Sequence, residues 1–129
     1  VMADTVTSQT ITDVSGSKTV MKFTNLSDGT GESLVKKVDA SELNHASSST
    51  KIARVIYSIN TVGGNGAVEL VYDGATNATA MVLGGSGTID LQTPAIQIAN
   101  NATTPTGDIL FSTKNFVNGD SYTIILELR

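Results

Sequence analysis

Turn-forming residues punctuate this chain about every 8 to 15 positions, and the segments between them are short, β-branched and often alternating, the pattern of a sandwich or barrel. Nine or ten strands are expected. The most regular is "SYTIILELR", where Tyr122, Ile124, Leu126 and Leu128 line one face and Thr123, Ile125, Glu127 and Arg129 the other. Covering four such aligned apolar side chains is worth on the order of 6 to 12 kcal/mol. The segment is therefore expected inside a sheet, with pairing to a neighbouring chain as the alternative.

Upstream, "TVTSQTIT" (5–12) and "TVMKFTNL" (19–26) flank Ser15-Gly16-Ser17 and read as a hairpin, and "SLVKKVD" (33–39) as a short strand. "DASEL" predicts the one helical turn, near 40–45, with Asp39 as N-cap and Glu42 three residues on. "KIARVIYSINT" (51–61) is apolar on both faces, which places it centrally, with Ile52 and Ile56 on one face and Ala53, Val55, Tyr57 and Ile59 on the other. "AVELVY" (67–72) points Val68, Leu70 and Tyr72 inward, and "ATAMVL" (78–83), "TIDLQ" (88–92), "AIQIA" (95–99) and "DILFST" (108–113) supply further strands, with a bend or sheet edge at Pro94. "GGNG" (63–66) and "GGSG" (84–87) lack the Lys-Ser/Thr of a phosphate loop and read as hairpin connections. The fold class is all-β: a two-sheet antiparallel sandwich of jelly-roll type, one domain over 10–129, with 1–9 as a flexible N-terminal arm.

Composition narrows the function classes. Charged residues make up 16%, against about 25% in an average domain, while 13 Ser and 18 Thr keep the surface wet. With a net charge of −4 and basic residues scattered, no clustered face is available for a nucleic-acid backbone. The absence of cysteine removes disulfides, thiol catalysis and thiolate metal sites. No apolar run approaches a membrane span, and no basic-then-apolar signal opens the chain, so a soluble protein made in the cytoplasm is expected.

Candidate chemistry is thin. His45, the single histidine, lies in "LNHASSST" and reads as an exposed loop residue rather than a catalytic base. Most Asp residues occupy turns, as in Asp28-Gly29 and Asp73-Gly74, where Asp bonds its own backbone. "DGTGE" sets Asp28, Thr30 and Glu32 at alternate positions but lacks the carboxylate density of a calcium loop, so a solvated turn is expected. Asn25, Asn77 and Asn101 begin glycosylation sequons of the kind that chance supplies. No catalytic residue, metal site or cofactor is expected. Candidate assembly contacts are the arm residues Ala3, Asp4, Thr5, Val6, Thr7, Ser8 and Gln9, short of apolar anchors and able to order on assembly.

"TVMKFTNLSDGTGES", "VKKVDASEL", "TGDILFST" and "GDSYTIILEL" together resemble small virion structural proteins of tailed bacteriophages, over about Thr5 to Arg129. The resemblance implies a non-enzymatic decoration or cement protein on the outer capsid surface, bound to the major capsid protein, with a homotrimer the favoured form. A tail or neck component, and a sugar-binding jelly roll of lectin or adhesin type, are the alternatives.

Overall fold

The computed structural model describes residues 5–47, 49–91 and 93–129. Nine strands form it: β1 (Thr5–Val14), β2 (Lys18–Leu26), β3 (Val35–Val38), β4 (Ile52–Asn60), β5 (Ala67–Tyr72), β6 (Ala78–Leu83), β7 (Ser86–Asp90), β8 (Ile109–Lys114) and β9 (Ser121–Leu128). They build one antiparallel sheet in the order β1-β2-β9-β4-β7 and a second in the order β3-β8-β5-β6. Leaving β1 aside, the pairs are nested: β2 with β9, β3 with β8, β4 with β7 and β5 with β6. That winding of one long hairpin around two sheets is the jelly roll.

The terminal strand lies inside the larger sheet, between β2 and β4. Its alternation explains the position, since Tyr122, Ile124, Leu126 and Leu128 are all buried against the second sheet. Phe23 and Ile124 from one sheet meet Phe111, Leu70 and Val68 from the other, and the Phe23 and Phe111 rings pack edge to face with centroids 5.1 Å apart. Tyr72 is also in this core, donating its hydroxyl to the Ile98 carbonyl at 2.6 Å.

Several local expectations change. A register shift at Ala53 lets β4 keep Ile52, Val55 and Ile59 in the core and turns Ile56 outward. One extra residue breaks the alternation there, so strict alternation wrongly groups Ile52 with Ile56 rather than with Val55 and Ile59. The two glycine runs are not hairpin connections: 63–66 joins β4 to β5 and 84–87 joins β6 to β7, and each carries the chain from one sheet to the other. Gly85, at φ +69°, makes the second corner possible. Residues 95–99 form no strand; a 3-10 turn at Pro94–Ile96 is followed by a single bridge from Ile98 to Ile52. The expected turn after Asp39 is present as a 3-10 turn, Ala40–Glu42, with the Asp39 carboxylate accepting from the Ser41 N–H at 3.1 Å. Another such turn, Val62–Gly64, stands at the first glycine corner.

Candidate functional site: an outer sheet face and a buried carboxylate

Of the candidate assembly residues, Ala3 and Asp4 lie outside the described residues. Thr5, Val6, Thr7, Ser8 and Gln9 form the first half of β1 and pair with Leu26, Asn25, Thr24, Phe23 and Lys22. Backbone hydrogen bonds to β2, not apolar anchors, place this segment, which is why composition alone suggests an arm. β1 is nonetheless the most exposed strand and ends the sheet order, so its outer backbone groups face away from the domain. Between Thr5 and Thr12 it carries no charge and no proline, the devices that usually blunt a sheet edge.

The outer face of this five-stranded sheet is laid out in cross-strand rows. Thr7, Thr24, Thr123, Ser58 and Ser86 are successive partners across all five strands, a continuous line of hydroxyls. The Thr7 and Thr24 hydroxyls bond each other. Beside it runs Gln9, Lys22, Ile125, Ile56 and Thr88, and next to that Thr12, Val20, Glu127, Arg54 and Asp90. Charge is therefore concentrated at one end of the face. There the Glu127 carboxylate, nearly buried, meets Arg54 Nη2 at 3.3 Å and Arg129 Nε at 2.8 Å, and these three with Lys18, Asp90 and two neighbours line a cleft of about 300 Å³.

A second polar cluster lies between the sheets at the opposite end of β2. Glu32 leaves the loop of 27–34 with its side chain turned inward and only 5% exposed. Its Oε2 stands 2.5 Å from Lys37 Nζ. Its Oε1 accepts from Asn25 Nδ2 at 2.8 Å and from the Tyr122 hydroxyl at 2.6 Å. The backbone fixes it: the Glu32 N–H donates to Thr113 Oγ1 at 2.8 Å, and the Thr113 N–H returns a bond to the Glu32 carbonyl at 2.9 Å. Gly31 must be glycine for two reasons, a φ of +75° and a Cβ position 2.9 Å from Thr113 Oγ1. Lys37 reaches inward because it is the residue skipped in the β3–β8 register, between Lys36 and Val38.

The remaining sequence candidates have structural roles. The expected solvated turn at "DGTGE" is split: Asp28 Oδ1 accepts from the Thr30 N–H at 3.0 Å, whereas Glu32 is buried. Asn25 is 2% exposed and so closed to glycosylation, whereas Asn77 and Asn101 are exposed. Among the described residues His45 joins no serine triad. Its N–H donates to Asp13 Oδ1 at 3.1 Å, while the nearby Ser47 hydroxyl bonds those of Ser49 and Thr50. Asp120, wholly buried, holds the N–H groups of Val62 and Val117 at 3.0 and 2.8 Å. Among the described residues no group of three or more metal-ligating side chains converges, and no helix is long and apolar enough to cross a membrane.

Asn25, Glu32 and Lys37 were not singled out together by sequence reasoning. Their meeting depends on a bulge and a loop conformation, and the one signal for it is a Gly-Glu step followed closely by paired lysines. Comparison with known proteins returned no matching family model, no matching curated protein and no matching solved structure.

Proposed function

We propose that this chain is a non-enzymatic virion structural protein of the decoration or cement kind, which lies on the outer surface of a tailed-phage capsid and braces it against internal DNA pressure. Jelly rolls serve capsid and lectin domains alike, so the fold does not choose between them. The observation that carries the reading is the outer face of the larger sheet: five strands wide, crossed by an unbroken hydroxyl row and bordered by the β1 edge, uncharged from Thr5 to Thr12. Such a face suits a broad, polar contact of about 1,200 to 2,000 Å² with a major capsid protein. The resemblance of the β2, β3, β8 and β9 segments to phage virion proteins supports the same reading, and a homotrimer is the form proposed with it.

Co-sedimentation with expanded capsids of the matching phage is the test. Saturation at a fixed whole-number ratio per capsid subunit is expected, and absence from the capsid pellet at micromolar protein contradicts the proposal. The cleft beside Glu127 favours a second reading, a sugar-binding jelly roll, because about 300 Å³ is at the lower end of ligand-pocket size. Retention on a glycan array together with no capsid binding selects it.

A further inference from the structure

Lys37, Glu32 and Asn25 form an arrangement that an ordinary buried ion pair does not need. A primary amine and a primary carboxamide, from strands of different sheets, are held on the two oxygens of one carboxylate. The Lys37 and Glu32 side chains are 8% and 5% exposed, and Asn25 is 2% exposed. The aromatic residues Phe23, Phe111, Phe116 and Tyr122 belong to the core on this side, with the Phe116 and Tyr122 rings 6.2 Å apart. An amine and an amide do not react in water at neutral pH, because the amine is protonated and the amide is a poor electrophile. Holding both groups on one nearly buried carboxylate, which can carry the proton between them, lowers both obstacles.

We propose that Lys37 and Asn25 join in an autocatalytic isopeptide bond, with Glu32 as the catalytic acid and base. A proton passes from Lys37 Nζ to Glu32 Oε2, and the freed amine attacks Asn25 Cγ. Glu32 then delivers that proton to Nδ2, to which it is already hydrogen-bonded, and the Cγ–Nδ2 bond breaks as Cγ–Nζ persists; the surplus proton left on Nζ passes through Glu32 to the departing ammonia. The carboxamide and the protonated amine become one secondary amide and one ammonium ion; no oxidant or other reactant takes part, and Glu32 ends as it began. The Tyr122 hydroxyl, donating to Oε1, and the Glu32–Thr113 backbone pair are positioning groups. A groove of about 240 Å³ between β1 and β3, lined by Val6, Ser8, Val35 and Lys37 among others, gives ammonia a way out.

The product ties β2 to β3, and so one sheet to the other, at the side of the sandwich where both sheets end in edge strands. The reaction happens once per chain, so it makes a cross-link rather than an enzyme, and it does not rest on the virion reading.

Intact mass spectrometry of the denatured full chain tests it. The expected mass is about 17 Da below that of the sequence, one ammonia lost by displacement, with a fragment spectrum joining the Asn25 and Lys37 peptides. Lys37→Met and Glu32→Gln are expected at full mass, and Asn25→Asp is expected to cross-link with loss of water instead. A succinimide at Asn65-Gly66 or Asn118-Gly119 also removes ammonia, but it persists in Lys37→Met and leaves the two peptides separate. Wild-type protein that keeps its full mass after prolonged incubation overturns the proposal. So does a mass deficit that survives Lys37→Met. Since the first result needs no variant, it stands even if a substitution prevents folding.

Discussion

Lys37 and Asn25 belong to different sheets yet hang on one carboxylate: Glu32 Oε2 is 2.5 Å from Lys37 Nζ, and Oε1 accepts from Asn25 Nδ2 at 2.8 Å. Removing the carboxylate charge leaves a buried cation without its counter-ion. Against wild-type chains that have not cross-linked, Glu32→Gln is therefore expected to cost about 3 to 5 kcal/mol, as for other broken buried pairs. Equilibrium urea unfolding measures this. The double variant Glu32→Gln/Lys37→Met is expected to recover at least half the loss, because it removes the stranded charge as well. A Glu32→Gln protein as stable as wild type contradicts the account of this cluster.

β9 supplies the middle of the larger sheet, and Ile124 is wholly buried there beside Phe23 and Tyr57 across its two neighbours. Ile124→Ala is expected to lose about 2 to 5 kcal/mol, from transfer and cavity terms together. Val82, on an edge strand and 61% exposed, is expected to change stability by less than about 0.5 kcal/mol when replaced by alanine. Comparable losses at both positions in thermal unfolding speak against the placement of β9.

Burial pushes the Tyr72 phenol up from 10.0 to about 12, opposed in part by the Ile52 backbone N–H. A raised folded-state value means that the unfolded chain loses this proton first. The contribution is complete below about pH 10 and is lost as pH rises from there toward about 12. Wild-type protein is expected to lose stability across that window more steeply than Tyr72→Phe, which has no proton to lose. Parallel pH profiles for the two are the contrary result.

Acid acts at the opposite end of the scale through Asp13. The Asn44 backbone N–H lowers its carboxyl below 3.8 most strongly, partial burial opposes, and the His45 N–H and Thr19 hydroxyl add to the lowering. These bonds tie the β1–β2 hairpin to the loop holding His45. The depressed value contributes stability that is present above 3.8 and is lost as pH falls through the folded-state value. Asp13→Asn is expected to be less stable than wild type at neutral pH, with the gap closing in strong acid. A gap that stays constant with pH contradicts it.

The strands that bury one clean face were legible in the sequence. β9 declares itself by four apolar residues in alternation, and β2 by Met21 and Phe23, and both are interior. β1 was half missed, since Thr5 to Gln9 are fixed by ladder hydrogen bonds to β2, which side-chain composition does not report. The bulge at Ala53 parts Ile52 from the face of Ile56, on which alternation puts both, and residues 95–99 alternate like a strand while Pro94 begins a turn. The buried cluster was least legible of all. Glu32 sits in a glycine-flanked polar loop that reads as solvated, and only the register shift around Lys37 and the clamp from Thr113 bring it inside. Such long-range meetings leave only a faint local trace, here the Gly31-Glu32 step ahead of Lys36-Lys37.

On the proposed reading, the larger sheet's outer face and the β1 edge are where this domain meets the capsid. Hydrogen–deuterium exchange of the protein free and bound to expanded capsids tests it most directly. Slower exchange on binding is expected throughout Thr5–Val14, whose outer amides have no strand beside them. Protection confined to the outer face of the smaller sheet, with β1 exchanging equally fast in both states, would contradict the claim.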